Sequence, residues 1–141
     1  MVADLAQKAR TLRALHHADL PLVLPNVWDV GSARVVARAG FPALATSSGA
    51  IAAALGHPGN DSMPVTEVFG VIGRIASAFD LPVTGDLEAG YRLSAEELVQ
   101  RLLDAGAVGC NLEDTHPSWI RRTPRRAHAS GTHRGHQAGR P

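Results

Sequence analysis

The sequence predicts an α/β fold built on a parallel sheet, and three observations carry that prediction. Short apolar runs alternate with longer segments whose apolar residues recur at helical spacing. Glycine and proline stand at the junctions between them. Acidic and small hydroxyl residues follow the apolar runs, the place where parallel β/α folds gather reactive groups.

The elements follow in order. Ala3 to Ala18 places Leu5, Leu12 and Leu15 at helical spacing and reads as a leading helix. Leu22-Val23-Leu24, bounded by Pro21 and Pro25, reads as a short buried strand. Asp29 caps a helix over Gly31 to Arg38, and Gly40 is its stop signal. Ala43 to Thr46 is the second strand, followed by the turn Ser47-Ser48-Gly49 and a short helix through Leu55. Pro64 opens a longer helix reaching about Phe79, with Thr66 in its first turn. Leu81 to Asp86 is the third strand, its proline confined to the strand start. Ser94 and Glu97 form a capping box for a helix that ends at Gly106, and Val108 to Leu112 is the fourth strand. Strands joined through helices are β-α-β units with right-handed crossovers. An open doubly wound sheet and a β/α barrel both satisfy that pattern, and the pattern alone does not choose.

Composition narrows the class. With 141 residues, 45% of them apolar, the chain suffices for one domain with a core. No stretch approaches the roughly 18 uninterrupted apolar residues of a membrane span. Met1 to Arg13 lacks the basic and apolar regions of a secretory signal. The single Cys110 excludes an internal disulfide framework. A cytoplasmic enzyme without membrane contact is the expectation. The net charge of +1 conceals an asymmetry, because all thirteen acidic residues lie at or before Asp114. Arg121, Arg122, Arg125, Arg126, Arg134 and Arg140 lie beyond Trp119, where Ile120 is the only aliphatic residue larger than alanine. Residues 1–118 therefore read as a folded unit, and 119–141 as a disordered basic tail.

The chemistry gathers after the strands. Asp86 and Glu88, two residues apart, face one side of an extended strand. With Glu113 from the next strand they would bring three carboxylates to one rim, a donor set for Mg²⁺, with Mn²⁺ as the alternative ion. Ser48, Gly49 and Ala50 offer backbone N–H groups at a helix start, which suits a carboxylate or phosphonate. Plainer readings stand beside these. Asp29 alone is a helix cap, Glu88 or Glu113 alone a solvated loop acid, and Trp28 plain packing. Cys110 reads as a buried small apolar residue, and His57 as a loop residue with no evident partner.

Four runs resemble a known family. Pro25-Asn26-Val27-Trp28-Asp29-Val30-Gly31-Ser32-Ala33 and Gly40-Phe41-Pro42-Ala43-Leu44-Ala45-Thr46-Ser47-Ser48-Gly49-Ala50 are similar to the opening of the isocitrate lyase/phosphoenolpyruvate mutase superfamily. Gly85-Asp86-Leu87-Glu88-Ala89-Gly90-Tyr91 resembles its metal loop, and Gly109-Cys110-Asn111-Leu112-Glu113-Asp114 its next strand end. The resemblance implies a (β/α)8 TIM barrel, of which this chain would hold the first half, about four β/α units. It implies Mg²⁺ on Asp86, with Glu88 and Glu113 acting through metal-bound water. Ser48, Gly49 and Ala50 would hold a small carboxylate substrate, with Trp28 and Tyr91 beside it. It also implies lyase or phosphonomutase chemistry on C–C or C–P bonds of α-keto or α-hydroxy acids, in homotetramers.

The departures are specific. Where the family has an aspartate in a Pro-Asp-Gly context, this chain reads His57-Pro58-Gly59-Asn60-Asp61, so Asp61 would serve only if the loop shifts. Arg92 follows Tyr91 where the family has glycine. Beyond about Ser118 the resemblance stops, so the catalytic acid or base is unassigned. The expectation is a shortened and weakly active or inactive form with a frameshifted tail. The competing reading, from another class, is a nucleic-acid or acidic-surface binder using that tail. Its acidic body and lack of a recognition motif make nucleic acid a poor fit.

Overall fold

Capping chemistry and apolar spacing decide where this chain turns. The computed structural model describes residues 2–58 and 63–114. The order is α1 (Val2–His16), β1 (Asn26–Val27), α2 (Val30–Arg38), β2 (Leu44–Thr46), α3 (Ser48–Leu55), α4 (Val65–Ala78), β3 (Val83–Asp86), α5 (Ala95–Asp104) and β4 (Gly109–Asn111). Asp29 accepts the Ser32 N–H at 2.6 Å while Ser32 Oγ accepts from Asp29 N–H at 3.1 Å, a reciprocal cap that starts α2. Ser94 and Glu97 make the same exchange at α5. Gly106, at φ +82, takes the left-handed conformation that releases the chain toward β4. Pro64 precedes α4 without a side-chain cap bond.

All four strands are parallel and adjacent in the order β1-β2-β3-β4. A doubly wound sheet reverses its strand order at a switch point. The described strands run on in one direction without reversal. The apolar core fills the space between the sheet and its helices, with Leu44, Val83, Ile72 and Ile75 fully buried. A side chain on Gly85 would meet Ile72 at 3.2 Å and Leu102 at 3.3 Å, so β3 lies tight against α4 and α5. One on Gly109 would meet Leu12 of α1 at 2.8 Å and Thr84 at 3.2 Å. Thr84 and Gly85 alternate along β3, so Leu12 reaches the sheet from the face opposite α4 and α5. Lys8 Nζ, donating to Phe79 O at 3.2 Å, ties α1 to the end of α4. No described helix is long and apolar enough to cross a membrane.

The first strand differs from its sequence prediction. Leu22 to Leu24 form no strand; pairing begins at Asn26 with Ala45 and continues at Val27 with Thr46. Val23 is exposed whereas Val27 is fully buried. Pro25 has no N–H to give a ladder, so hydrophobicity alone cannot make its neighbours a strand. The second, third and fourth strands are found within their predicted ranges. The tail from 119 to 141 and the boundary at 118 lie outside the described residues.

Hydrogen bonds to Ser32 hold the Asp29 carboxyl below its ordinary range, and those to Ser94 do the same for Glu97. Lowered folded-state values mean that these caps stabilise fully above about pH 4 and lose that contribution as pH falls through the folded values. Ser94→Ala is expected to lower unfolding free energy by about 1 kcal/mol in urea titrations at neutral pH. Asp29→Asn, which caps without titrating, should show a shallower loss of stability below pH 4 than the parent; superimposable acid titrations would exclude that role for Asp29.

Candidate functional site

The β3 end is where the chain concentrates polar contacts of long sequence separation. Asp86 Oδ2 accepts two hydrogen bonds from one residue, Ser48 N–H at 2.9 Å and Ser48 Oγ at 2.8 Å. Asp86 N–H donates to Thr46 Oγ1 at 2.9 Å. The β2 end thus grips both the backbone and the carboxylate of the β3 end. Among the described residues no hydrogen bond reaches Asp86 Oδ1, which leaves that oxygen available to a ligand.

Glu88 and Glu113 meet through the backbone, where Glu113 N–H donates to Glu88 O at 2.7 Å. Leu87 N–H donates to Asn111 O at 3.1 Å, so the two strand ends stay joined past their regular pairing. Glu88 is buried and Glu113 exposed. Glu88 stands at φ +47, so the chain leaves the extended conformation there, and the alternation expected of a continuous strand stops at Leu87. Among the described residues no three His, Cys, Asp or Glu side chains gather into a metal cage. The arrangement suits a hard cation that takes one or two carboxylate oxygens and keeps several waters, as Mg²⁺ does. The position of the Asp86 carboxylate is fixed by the hydrogen bonds from Ser48, while Glu88 and Glu113 are joined to each other through the backbone.

The anion-binding expectation at α3 is refined by the same bonds. Ser47 Oγ caps α3 by accepting from Ala50 N–H at 3.3 Å, and Ser48 N–H is engaged by Asp86. Of the three predicted donors, Gly49 N–H alone has no acceptor among the described residues. Gly49 is exposed, and a Cβ there would meet nothing within 4 Å.

Other predicted positions fall elsewhere. Trp28 lines a cavity of about 210 Å³ with Asp29, Val30, Ala54, Leu55, Val71 and Arg74. None of the rim carboxylates lines that cavity. Trp28 directly follows β1, which ends at Val27, and precedes α2, which begins at Val30. Tyr91 packs against the core beside the β3 loop. Asp61 lies outside the described residues. Cys110 is exposed on β4 rather than buried; partial burial of its thiol raises its pKa, which keeps it protonated and a poor nucleophile near neutrality. His57, read from sequence as lacking a partner, has Glu67 Oε2 at 3.1 Å from Nε2.

The loop after β3 is bent hard. Glu88, Tyr91 and Arg92 all occupy the left-handed region, at φ +47, +51 and +61, with Gly90 at +87. Buried Leu87 anchors it, and bonds from Gly90 N–H to Leu87 O and from Leu93 N–H to Gly90 O close its turns. Left-handed backbone disfavours residues that carry Cβ, so three such residues in five positions mark a loop held in place by its surroundings.

Comparison with known proteins places these features in a family. The model for "Phosphoenolpyruvate phosphomutase" matches residues 12–137. The chain is 34% identical over 110 residues to a probable 2-methylisocitrate lyase of Corynebacterium glutamicum, covering 77% of this chain and 36% of that protein. It is 36% identical over 108 residues to an oxaloacetate decarboxylase of Rhodopseudomonas palustris, covering 74% of this chain and 37% of that one. A crystal structure of a Streptomyces platensis phosphoenolpyruvate phosphomutase superposes with a TM-score of 0.69 at 35% identity, over 75% of this chain and 38% of that chain. The chain spans well under half the length of the curated relatives it matches.

The backbone angle at Arg92 explains why glycine suits that place, and it generates an ordering. Arg92→Val is expected to lower stability by about 1 kcal/mol, while Arg92→Gly holds or raises it. Thermal melts of the three proteins read the order directly; valine and glycine variants melting together would show that the loop does not keep this angle in solution.

Proposed function

Because the chain belongs to the phosphoenolpyruvate phosphomutase family, we propose that its β2–β3 rim is the metal and substrate-anion part of a lyase or phosphonomutase site. The substrate class is a small α-keto or α-hydroxy carboxylate, and the bond at issue is C–C or C–P. One observation carries the reading: Ser48 N–H and Oγ both close on Asp86 Oδ2, joining the candidate anion turn to the candidate metal carboxylate. Relatives that match the same region are named as a lyase, a decarboxylase and a phosphomutase. They support one shared chemistry at this rim more than any single substrate.

Each residue then has a task. Asp86 would hold Mg²⁺ or Mn²⁺, with Glu88 and Glu113 as the carboxylates that would act through metal-bound water. When bound, the cation supplies a Lewis acid for negative charge building on the substrate oxygen. Gly49 N–H, at the N-terminal end of α3, donates to the substrate's anionic end, where the helix dipole also favours negative charge. Ser48 orients Asp86 and sits between the two ligands. Tyr91 closes the side of the site toward the β3 loop. A (β/α)8 barrel and a homo-oligomer complete the proposal for the whole protein.

Isothermal titration with Mg²⁺ should show a site that Asp86→Ala removes, while the variant still unfolds cooperatively. Identical titrations of parent and variant would sink the reading. Binding at the rim should be followed by metal-dependent turnover of one member of a panel holding 2-methylisocitrate, oxaloacetate and phosphoenolpyruvate.

A further inference from the structure

The pairing of β2 with β3 runs Leu44 with Val83 and Ala45 with Thr84, and its register stops there. β2 itself ends at Thr46, because Ser47 is already the cap of α3. Asp86 therefore lies past the last backbone pair that could hold it from the β2 side. Its N–H is nevertheless satisfied, by a side chain: Thr46 Oγ1 at 2.9 Å. Thr46 is only 1% exposed, so this hydroxyl and this N–H meet away from water. Two residues on, Ser48 holds the carboxylate of the same aspartate.

We infer that Thr46 is a positioning residue for the metal site, acting through Asp86 by standing in for the missing rung of the β2–β3 ladder. The inference rests on the proposed metal role of Asp86 and adds what fixes that role in space. A carboxylate turns about its own χ angles, so holding Oδ2 at Ser48 orients the group only if the backbone behind it is also fixed. Thr46 supplies that second point. A hydroxyl is needed because the N–H requires an acceptor; a methyl of the same volume would leave the N–H buried and unsatisfied. Serine keeps the acceptor and loses only a methyl. Partners of this outer kind typically change metal affinity by tenfold or more when removed.

The test is Mn²⁺ affinity, read by the loss of the free-ion electron paramagnetic resonance signal, for the parent, Thr46→Ser, Thr46→Val and Asp86→Ala. The inference expects serine within about twofold of the parent and valine weaker by about tenfold, with both still unfolding cooperatively. Valine binding as tightly as the parent, while Asp86→Ala abolishes binding, overturns the role of Thr46 and leaves the metal site standing. Binding unchanged in Asp86→Ala overturns both together. Should the valine variant not fold, the parent decides by amide exchange: the Asp86 N–H is expected to be protected and to become more so on adding Mg²⁺. Exchange at the rate of an unstructured peptide overturns the inference.

Discussion

A carboxylate intended for a cation has to be held at the rim of a parallel sheet, where regular backbone pairing has run out. In this chain the constraint falls on Asp86, two residues past Thr84, the last residue of β3 paired on its β2 side. Three hydrogen bonds from Thr46 and Ser48 meet it there, two on the carboxylate and one on the backbone. The geometry of β2 follows from that need. The strand must be short enough for Ser48 to start a helix, yet long enough for Thr46 to reach across. The Ser47 cap sets the first condition by accepting the Ala50 N–H and turning the chain into α3. Packing sets the second, since Leu44 and Thr46 are both buried and fix where the strand lies.

The opposite side of Asp86 is secured differently. β4 continues to bond past the regular register, through Leu87 N–H to Asn111 O and Glu113 N–H to Glu88 O. These bonds hold the chain while Glu88, Tyr91 and Arg92 sit in the left-handed region. Strain of that kind persists only where neighbours over-determine the backbone. Here the neighbours are a fully buried Leu87, the β4 end and Tyr91 packed on the core. Among the described residues the three carboxylates do not gather into one cage, which under the proposed role would leave a cation much of its water.

What could be read from sequence was what depends on near neighbours. The Asp29 cap, the Ser94–Glu97 capping box and the stop at Gly106 follow from a few adjacent residues and stand where the sequence puts them; the reciprocal bond from Asp29 N–H to Ser32 was not read from sequence. The second and third strands are legible because each apolar run is also a buried one, whereas the fourth is legible from the Gly106 stop before it, its own residues being largely exposed. Leu22 to Leu24 misled because their apolar pattern carries no information about Pro25 denying the ladder an N–H. The contacts that build the site were not legible either. Thr46 and Asp86 are 40 residues apart, and only the register of β2 against β3 brings them together.

The same distinction bears on specificity. Proteins named as a 2-methylisocitrate lyase, an oxaloacetate decarboxylase and a phosphoenolpyruvate phosphomutase resemble this chain to about the same degree over about the same length. A region that serves such different bonds equally well encodes what those reactions have in common. In the proposed reading that common part is an anionic substrate with an oxygen on which charge accumulates as a bond to carbon or phosphorus breaks. A carboxylate proposed for a cation and a helix start proposed for an anion would answer that shared need and no more. Discrimination among the substrates needs contacts to the groups in which they differ, beyond the carboxylate they share. In the proposed roles neither Asp86 nor the α3 turn makes those contacts: one would address a cation, the other any small anion. On that proposal the rim carries what the family shares, and the choice of substrate is left to residues that read the rest of the molecule.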